Sequence, residues 1–320
     1  MVLNKIKYNY NLKIIEDLFI QNKYEEIELS LKKFKSNPYY TNLVNLISNK
    51  YLSSNKHTSF FRKKFIWIAS FDQNEIEPIN QFLNFYLAKN LKNSFHIGGY
   101  KELISNTLSN TKGNNFPNII DFDSIVQNSF LFQNLALFDN DNEILFANTN
   151  AAFFEAPNNK FLIYPQSTLC SFYVIRNPYK LYEKYKHHYG SSQGALNEIL
   201  NSDMQNNENQ KLNYFLNENR QSWNINAQSW LNNNVQNTYR GRVIEYEKLI
   251  SKPQDTLIEI VYHLKQSGLD LDINFDDIDS FINQNHLPKE ETFSEPLSNK
   301  EMKMVKNSLD ESILDQYKYQ

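Results

Sequence analysis

The sequence has little glycine, a single cysteine and no excess of positive charge. Glycine occupies 7 of 320 positions, against an average near 7%, so the glycine loops that bring a backbone close to a nucleotide are scarce. One cysteine, Cys170, excludes an intramolecular disulfide and a cysteine zinc site; its apolar surroundings indicate an inert core residue. With 33 Lys plus Arg against 36 Asp plus Glu, we do not expect a nucleic-acid binder.

Long apolar runs are also missing. No stretch approaches the ~18 consecutive apolar residues of a membrane-spanning helix, and the N-terminus lacks the pattern of a secretory signal. We therefore expect a cytoplasmic protein without a membrane span. The chain is long enough for one large core, or for one main domain with an appendage.

Residues 1–58 show the apolar spacing of helices, interrupted at Asn37-Pro38. The segment 22–38, NKYEEIELSLKKFKSNP, weakly resembles one tetratricopeptide unit, with Tyr24 and Pro38 near their expected places. Two interpretations remain open, because so short a segment cannot form a stable array alone. The helices either pack on the main domain or form a module that binds a peptide or protein partner.

Residues 62–320 alternate strand-like and helix-like stretches, which predicts an α/β domain with a central parallel sheet flanked by helices. The segment Ser298-Asn299-Lys300-Glu301 is a capping-box pattern that predicts a C-terminal helix over 299–315. The predicted strands are 65–70, 144–148, 172–176 and 242–246; the predicted helices before the last are 122–138, 178–189, 192–201, 209–231 and 253–266.

Four segments, in this order, resemble the PAPS-dependent sulfotransferase family, whose members transfer a sulfuryl group from 3′-phosphoadenosine 5′-phosphosulfate (PAPS). FIWIASFDQNEIEPINQFL at 65–83 is similar to the bacterial pattern WIASYPKSGNTWVRxFL, and LFANTNAAF at 145–153 to FLKTHNA. FYVIRNPYKLYEKYKHHYG at 172–190 is similar to YIVRDPRDVxxSxxxHYG, while 222–233 and 241–264 resemble an SWxxHxxSW helix and an IxYEDLxxxP strand–helix. The resemblance spans about 200 residues and implies a sulfotransferase-like fold related to P-loop proteins.

The loop that holds the donor's 5′-phosphosulfate in the family is degenerate in this chain. The resemblance implies a lysine, glycine amides and a hydroxyl, but the family's Pro-Lys-Ser-Gly-Asn-Thr corresponds here to Asp72, Gln73, Asn74, Glu75, Ile76 and Glu77. Each carboxylate near a phosphate opposes binding by roughly 4 kcal/mol in a partly buried site. The acids are therefore expected to cap the following helix in place of a phosphate. The alternative is a cation site formed by Asp72, Glu75 and Glu77, although we expect no metal.

The catalytic positions implied by the resemblance are altered as well. The family's general base, a histidine, corresponds to Asn150, and its neighbouring lysine corresponds to Asn148. Asparagine cannot accept a proton at neutral pH. Arg176 and Lys184 match the positions that bind the donor's 3′-phosphate, so a residual anion site is predicted there. Otherwise Arg176 is a surface arginine at a strand end.

Other residues are assigned mainly structural roles. Trp67, Trp223 and Trp230 are predicted to lie in the core. His187 and His188 are adjacent, so on a helix they point in different directions and cannot form a paired metal site. One of them is expected to pack and the other to face water.

The main hypothesis is a sulfotransferase-fold protein that has lost transfer and acts as a binding or scaffold protein, with no cofactor and with a glycan or protein partner. The first alternative is an active sulfotransferase that uses PAPS at a displaced site, reached by Lys184, Lys101 or Lys112. The second is a partner-binding module formed by residues 1–58. A P-loop NTPase is disfavoured because no GxxxxGK[ST] sequence is present.

Overall fold

A computed structural model describes residues 64–91, 94–99, 144–153, 155–156, 160–200, 220–284, 287–289 and 296–319, with a few single helical residues elsewhere (26, 29, 30, 103, 129, 133, 136 and 137). Most of segment 1–58 and of the predicted helix 122–138 therefore lies outside the described residues. The strands are β1 Lys64–Ser70, β2 Ser94–Gly99, β3 Ile144–Thr149, β4 Glu155–Ala156, β5 Lys160–Phe161, β6 Thr168–Ile175 and β7 Gly241–Glu245. The helices are α1 Glu77–Asn90, α2 Pro178–Tyr189, α3 Ser192–Leu200, α4 Trp223–Leu231, α5 Asn233–Thr238, α6 Tyr246–Ser251, α7 Pro253–Gln266, α8 Phe275–Asn283, α9 Asn299–Asn307 and α10 Glu311–Tyr317.

Five parallel strands form the sheet in the order β2-β3-β1-β6-β7, and β4 pairs with β5 in a separate hairpin. The predicted α/β fold with a parallel sheet is confirmed. Strand β1 lies in the centre, where Ile66 is opposite Phe146 of β3 and Ile68 is opposite Phe172 of β6. A strand buried on both faces requires the continuous apolar run that residues 65–69 provide.

Side chains of the sheet alternate between two cores, one on each face. Phe65, Trp67 and Ala69 belong to the core that α2, α3, α4, α9 and α10 cover. Ile66 and Ile68 belong to the core that α1, α7 and α8 cover. The three tryptophans are all at most 1% exposed and all lie in the first core, as predicted.

Three helices have close to their predicted bounds, namely α2, α3 and α7, because apolar spacing and end signals agree there. Pro178 and Pro253 each stand in a first turn, where the missing amide hydrogen is not needed. Gly190 ends α2 in a left-handed conformation with φ 63°, which glycine adopts without strain.

No helix in these described ranges is long and apolar enough to cross a membrane.

Two helical predictions were wrong in their extent. The expected C-terminal helix over 299–315 is two helices, because α9 ends at Asn307 and the carboxylate of Asp310 accepts a hydrogen bond from the Ser312 amide to begin α10. Asn224 holds this junction through hydrogen bonds to the Ser308 carbonyl and the Asp310 amide. The helix expected over 209–231 lies outside the described residues from 209 to 219 and is not continuous through 220–222. Helix α4 begins at Trp223, because Ser222 caps it by accepting a hydrogen bond from the Ile225 amide.

Candidate functional site

The carboxyl ends of β1, β3 and β6 meet at one edge of the sheet. After β1 the chain forms β2 and β3 on one side of that strand, and it then crosses to form β6 and β7 on the other side. The direction in which strands are added to the sheet therefore reverses at β1. In open parallel sheets ligands bind where the strand order reverses in this way. The acidic loop, defined as Asp72–Glu77, follows β1 at this edge.

The acidic loop forms a short 3-10 turn before α1. Asp72 caps this turn, because its Oδ1 accepts a hydrogen bond from the Asn74 amide at 3.0 Å. Ile76 is the residue that precedes α1, and it provides no side-chain cap. Glu77 is the acid in the first turn of α1; its Oε1 accepts from Gln81 on the exposed surface. The three carboxylates therefore have different roles, and only Asp72 caps a turn with its side chain.

Glu75 is buried at 1% exposure between β1 and β6. Its Oε2 accepts a hydrogen bond from Ser70 Oγ at 2.9 Å, and its Oε1 lies 3.3 Å from Arg176 NH1. Burial, and secondly the charge of Asp72, raise the pKa of Glu75 to about 8, against the opposing effect of Arg176.

Asp72 binds residues of α2. Its Oδ2 accepts hydrogen bonds from Lys184 Nζ at 2.7 Å and from the Tyr185 hydroxyl at 3.0 Å. Burial acts to raise the pKa of Asp72, but the positive charge and hydrogen bond of Lys184, with the Asn74 amide and the Tyr185 hydroxyl, hold it below its ordinary value. Asp72 is therefore an anion that stays paired at neutral pH.

Arg176 and Lys184, the predicted residual phosphate site, each contact a carboxylate of the acidic loop. Arg176 is buried at 5% exposure and is not a surface residue. Its guanidinium lies 4.7 Å from the centre of the Tyr246 ring as well as against Glu75. The structure brings the two cations to the same edge and places the loop's own carboxylates against them.

The end of β3 holds amides where the resemblance predicts a base and a lysine. Asn148 is buried, and its Oδ1 has no hydrogen-bond partner among the described residues. The Asn150 carbonyl accepts a hydrogen bond from Asn226 of α4, whose Oδ1 in turn accepts from the Tyr173 hydroxyl. Gln73, at the loop-lysine position, is exposed. No group that can take a proton at neutral pH stands at these positions.

A cleft of about 440 Å³ opens beside the acidic loop. Its walls come from the start of the loop, the residue after β3, the C-terminal half of α2, Glu198 and Arg220. Arg220 pairs with Glu198 at 2.7 Å and covers the Phe71 ring at 4.6 Å. Sequence reasoning did not find Tyr185, Glu198 or Arg220, because their partners are distant in the chain and no local motif marks them.

Three further predictions concern the single cysteine, the adjacent histidines and a cation site in the acidic loop. Cys170 is fully buried, as predicted, and burial raises the pKa of its thiol to about 12. His187 and His188 are both exposed, so the expectation that one of them packs is wrong. Within the described ranges no three His, Cys, Asp or Glu side chains are grouped to hold a metal ion. The cation alternative for the acidic loop therefore receives no support.

Comparison with known families and with curated proteins finds no match to this chain.

Proposed function

We propose that this chain is a non-catalytic protein with a sulfotransferase-like fold, which binds a ligand or partner and does not transfer a sulfuryl group from PAPS. The supporting observation is the pairing of the acidic loop with Arg176 and Lys184. Glu75 lies against the first of these cations and Asp72 against the second. A donor phosphate would have to displace both carboxylates and then remain close to them.

The contacts of Asp72 with Lys184 and of Glu75 with Arg176 are favoured in free energy over contacts of the same cations with a donor phosphate. Asp72 and Glu75 are already positioned by folding, whereas a nucleotide loses translational and rotational freedom when it binds. Displacing a buried carboxyl from its partner leaves an unpaired polar group, which costs about 1–3 kcal/mol or more. No lysine or glycine in the loop compensates for this cost, since those positions hold Gln73 and Glu75.

The altered strand end supports the same proposal from a separate element. An acceptor hydroxyl must lose its proton during transfer, and general bases contribute about 10²–10⁴-fold to rates. Asn148 and Asn150 cannot supply such a base. Binding partners of the proposed protein are a glycan at this edge of the sheet or a protein that contacts residues 1–58.

The proposal is tested by measuring nucleotide binding and transfer with the wild-type chain. We expect no change in melting temperature with 3′-phosphoadenosine 5′-phosphate, and no label transferred from PAPS to a phenol or a sugar. Lys184→Met is the matched control, because any weak binding through the residual cations should disappear in it. Saturable binding together with transfer would establish the rival function, an active sulfotransferase with a displaced site.

A further inference from the structure

Two aromatic side chains remain exposed on helices α7 and α8, which together cover one face of the sheet. Tyr262 of α7 is 52% exposed, and Phe275, the first residue of α8, is 55% exposed. An ion pair of 3.1 Å between Lys265 and Asp272 joins the end of α7 to the segment that precedes α8. Each aromatic residue stands three positions from one member of this pair, so both lie toward the same end of the two helices.

Acidic residues without positive partners lie beside these aromatic rings. The sequence holds five aspartates and no lysine or arginine from 266 to 288. Two of them, Asp272 and Asp277, pair with lysines. The side chains of Asp270 and Asp276 are exposed, and they form neither an ion pair nor a hydrogen bond with any residue that the structure describes. The α7–α8 surface is defined by the two exposed aromatic residues and these two acids: Tyr262, Phe275, Asp270 and Asp276.

Residues 1–58 have the composition that complements this surface. They contain nine lysines against five acidic residues, whereas acidic residues are in excess over residues 59–320. Lys32, Lys33 and Lys35 stand next to Phe34 in the sequence, so apolar and positive side chains occur together. Exposed rings beside unpaired acids match a partner of this kind, because surfaces that associate tend to be complementary in charge.

The chain enters the described domain at the edge of the sheet where α8 begins. Strand β1 starts at Lys64, at the amino edge. Helix α1 returns to that edge, because the strands on either side of it in the chain are parallel. Its last residue, Asn90, bonds to Asp277 in the first turn of α8 at 3.2 Å. Residues 59–63 can extend about 17 Å, so the preceding segment can reach the α7–α8 surface.

We propose that residues 1–58 dock on the α7–α8 surface of the same chain, with apolar side chains against Tyr262 and Phe275 and lysines beside Asp270 and Asp276. A segment attached through so short a connection has an effective concentration on the order of millimolar. A separate basic protein or a second copy of the chain would therefore bind at a disadvantage. The proposal goes beyond the function proposed above and does not depend on it, because neither the acidic loop nor the cleft takes part.

The experiment places the photoreactive residue p-benzoylphenylalanine in the full-length chain in place of Phe275. Irradiation should join this residue to residues 1–58 within one chain, and mass spectrometry of the digested monomer identifies the peptide. The matched control carries p-benzoylphenylalanine in place of Ile225, which is 50% exposed on α4 at the opposite face of the sheet. The control should capture little of residues 1–58.

Charge reversal tests the contribution of the two acids. Asp270→Lys combined with Asp276→Lys should lower the cross-linking yield by about fivefold, since two favourable charge contacts become unfavourable. High salt should lower the yield of the unchanged surface as well, because it screens exposed charges. Glu311→Lys combined with Asp315→Lys makes the same change in charge on α10 and should leave the yield as it was.

The proposal is overturned if the residue at position 275 is joined to a second chain, to another segment of its own chain, or to nothing. An undiminished yield in the charge-reversed variant would overturn it too. Circular dichroism of each variant before irradiation confirms that it is folded, so a lost cross-link reports on docking. PAPS turnover is measured separately and decides the proposed loss of transfer.

Discussion

Glu75 is a buried carboxyl group held by residues of two neighbouring strands. Ser70 ends β1, and Arg176 follows β6 one hundred and one residues after Glu75. Burying a charge is unfavourable unless it is paired and hydrogen-bonded, and a raised pKa shows which form the folded state prefers. For Glu75 burial outweighs the attraction to Arg176, so the neutral form is favoured near pH 7.

This preference predicts how stability changes with pH. An ordinary glutamic acid titrates near 4.5, whereas folding raises the pKa of Glu75 to about 8. The folded state therefore holds an extra proton between these pH values, and the free energy of unfolding should fall as pH rises through that window. In Glu75→Gln the decline should be clearly smaller when unfolding in urea is followed across the same range; what remains should come from groups such as Glu247, whose pKa burial also raises.

Glu301 provides a control of opposite sign. Hydrogen bonds from Ser192 and Lys186 lower its pKa to about 2, so Glu301 adds stability as pH rises from about 2 to 4.5. Glu301→Gln should remove that gain and leave the decline between pH 4.5 and 8 intact. A Glu75→Gln protein with the wild-type slope in the upper window would contradict the assignment.

The unusual acids of the loop are visible in the sequence, but the residues with which they pair are not. On the family resemblance, Asp72, Glu75 and Glu77 stand at the proline, glycine and threonine positions of the phosphate loop, and the resemblance therefore predicts an altered loop. The contact between Asp72 and Lys184 joins residues one hundred and twelve positions apart. Periodicity carries no information on such a pair, because it reports only which face of an element a residue occupies.

At the scale of elements, helix α9 shows how far local signals determine structure. Its capping box is complete, because Ser298 Oγ accepts from the Glu301 amide while the Glu301 carboxylate accepts from the Ser298 amide. Both bonds lie within four residues, so the start of the helix was predictable. Its end was not, since the junction with α10 depends on Asn224 from α4.

Removing the Ser298 cap should lower the free energy of unfolding moderately. Ser298→Ala should lower the free energy of unfolding by about 0.5–2 kcal/mol, the usual cost of losing a serine N-cap. Asn299→Ala, at the exposed neighbouring position, should change it by less than about 0.5 kcal/mol. Urea titration of both variants measures the difference, and equal effects would show that the capping box does not stabilise α9.

Strand β2 was missed for a related reason. Its sequence SFHIGG contains two glycines and no continuous apolar run. Among the described strands it lies at the edge of the sheet and pairs only with β3. An edge strand needs less apolar surface than a central one, so its pattern is weak. The four strands that were predicted are those with dense apolar or β-branched residues.

At the scale of the whole molecule, one sheet lies between two cores, and no helix in the described ranges contributes to both. All three tryptophans lie in the first core, so their fluorescence reports directly on only one face. Circular dichroism reports on both. The two signals together can therefore show whether the faces unfold as one unit.

We expect a single cooperative transition across the sheet. Ile260 of α7 is fully buried in the second core, away from every tryptophan. Ile260→Ala should lower the free energy of unfolding by about 2–5 kcal/mol, and should shift the fluorescence and dichroism midpoints equally. Ile225→Ala, at a residue 50% exposed on α4, is the control and should change little. Separate midpoints for Ile260→Ala would mean that the faces unfold independently.

The acidic loop pairs with α2 and with the residue after β6. This pairing bears on whether the folded protein depends on the concentration of a bound small molecule. Nucleotide-binding edges of this kind are ordinarily completed by a small molecule, so the fraction of competent protein follows the concentration of that molecule. Here the carboxyl groups of Asp72 and Glu75 already stand against Lys184 and Arg176 from within the chain. If the proposed function is correct, the folded protein needs no nucleotide to offset these two cations, and its stability would then be independent of nucleotide concentration.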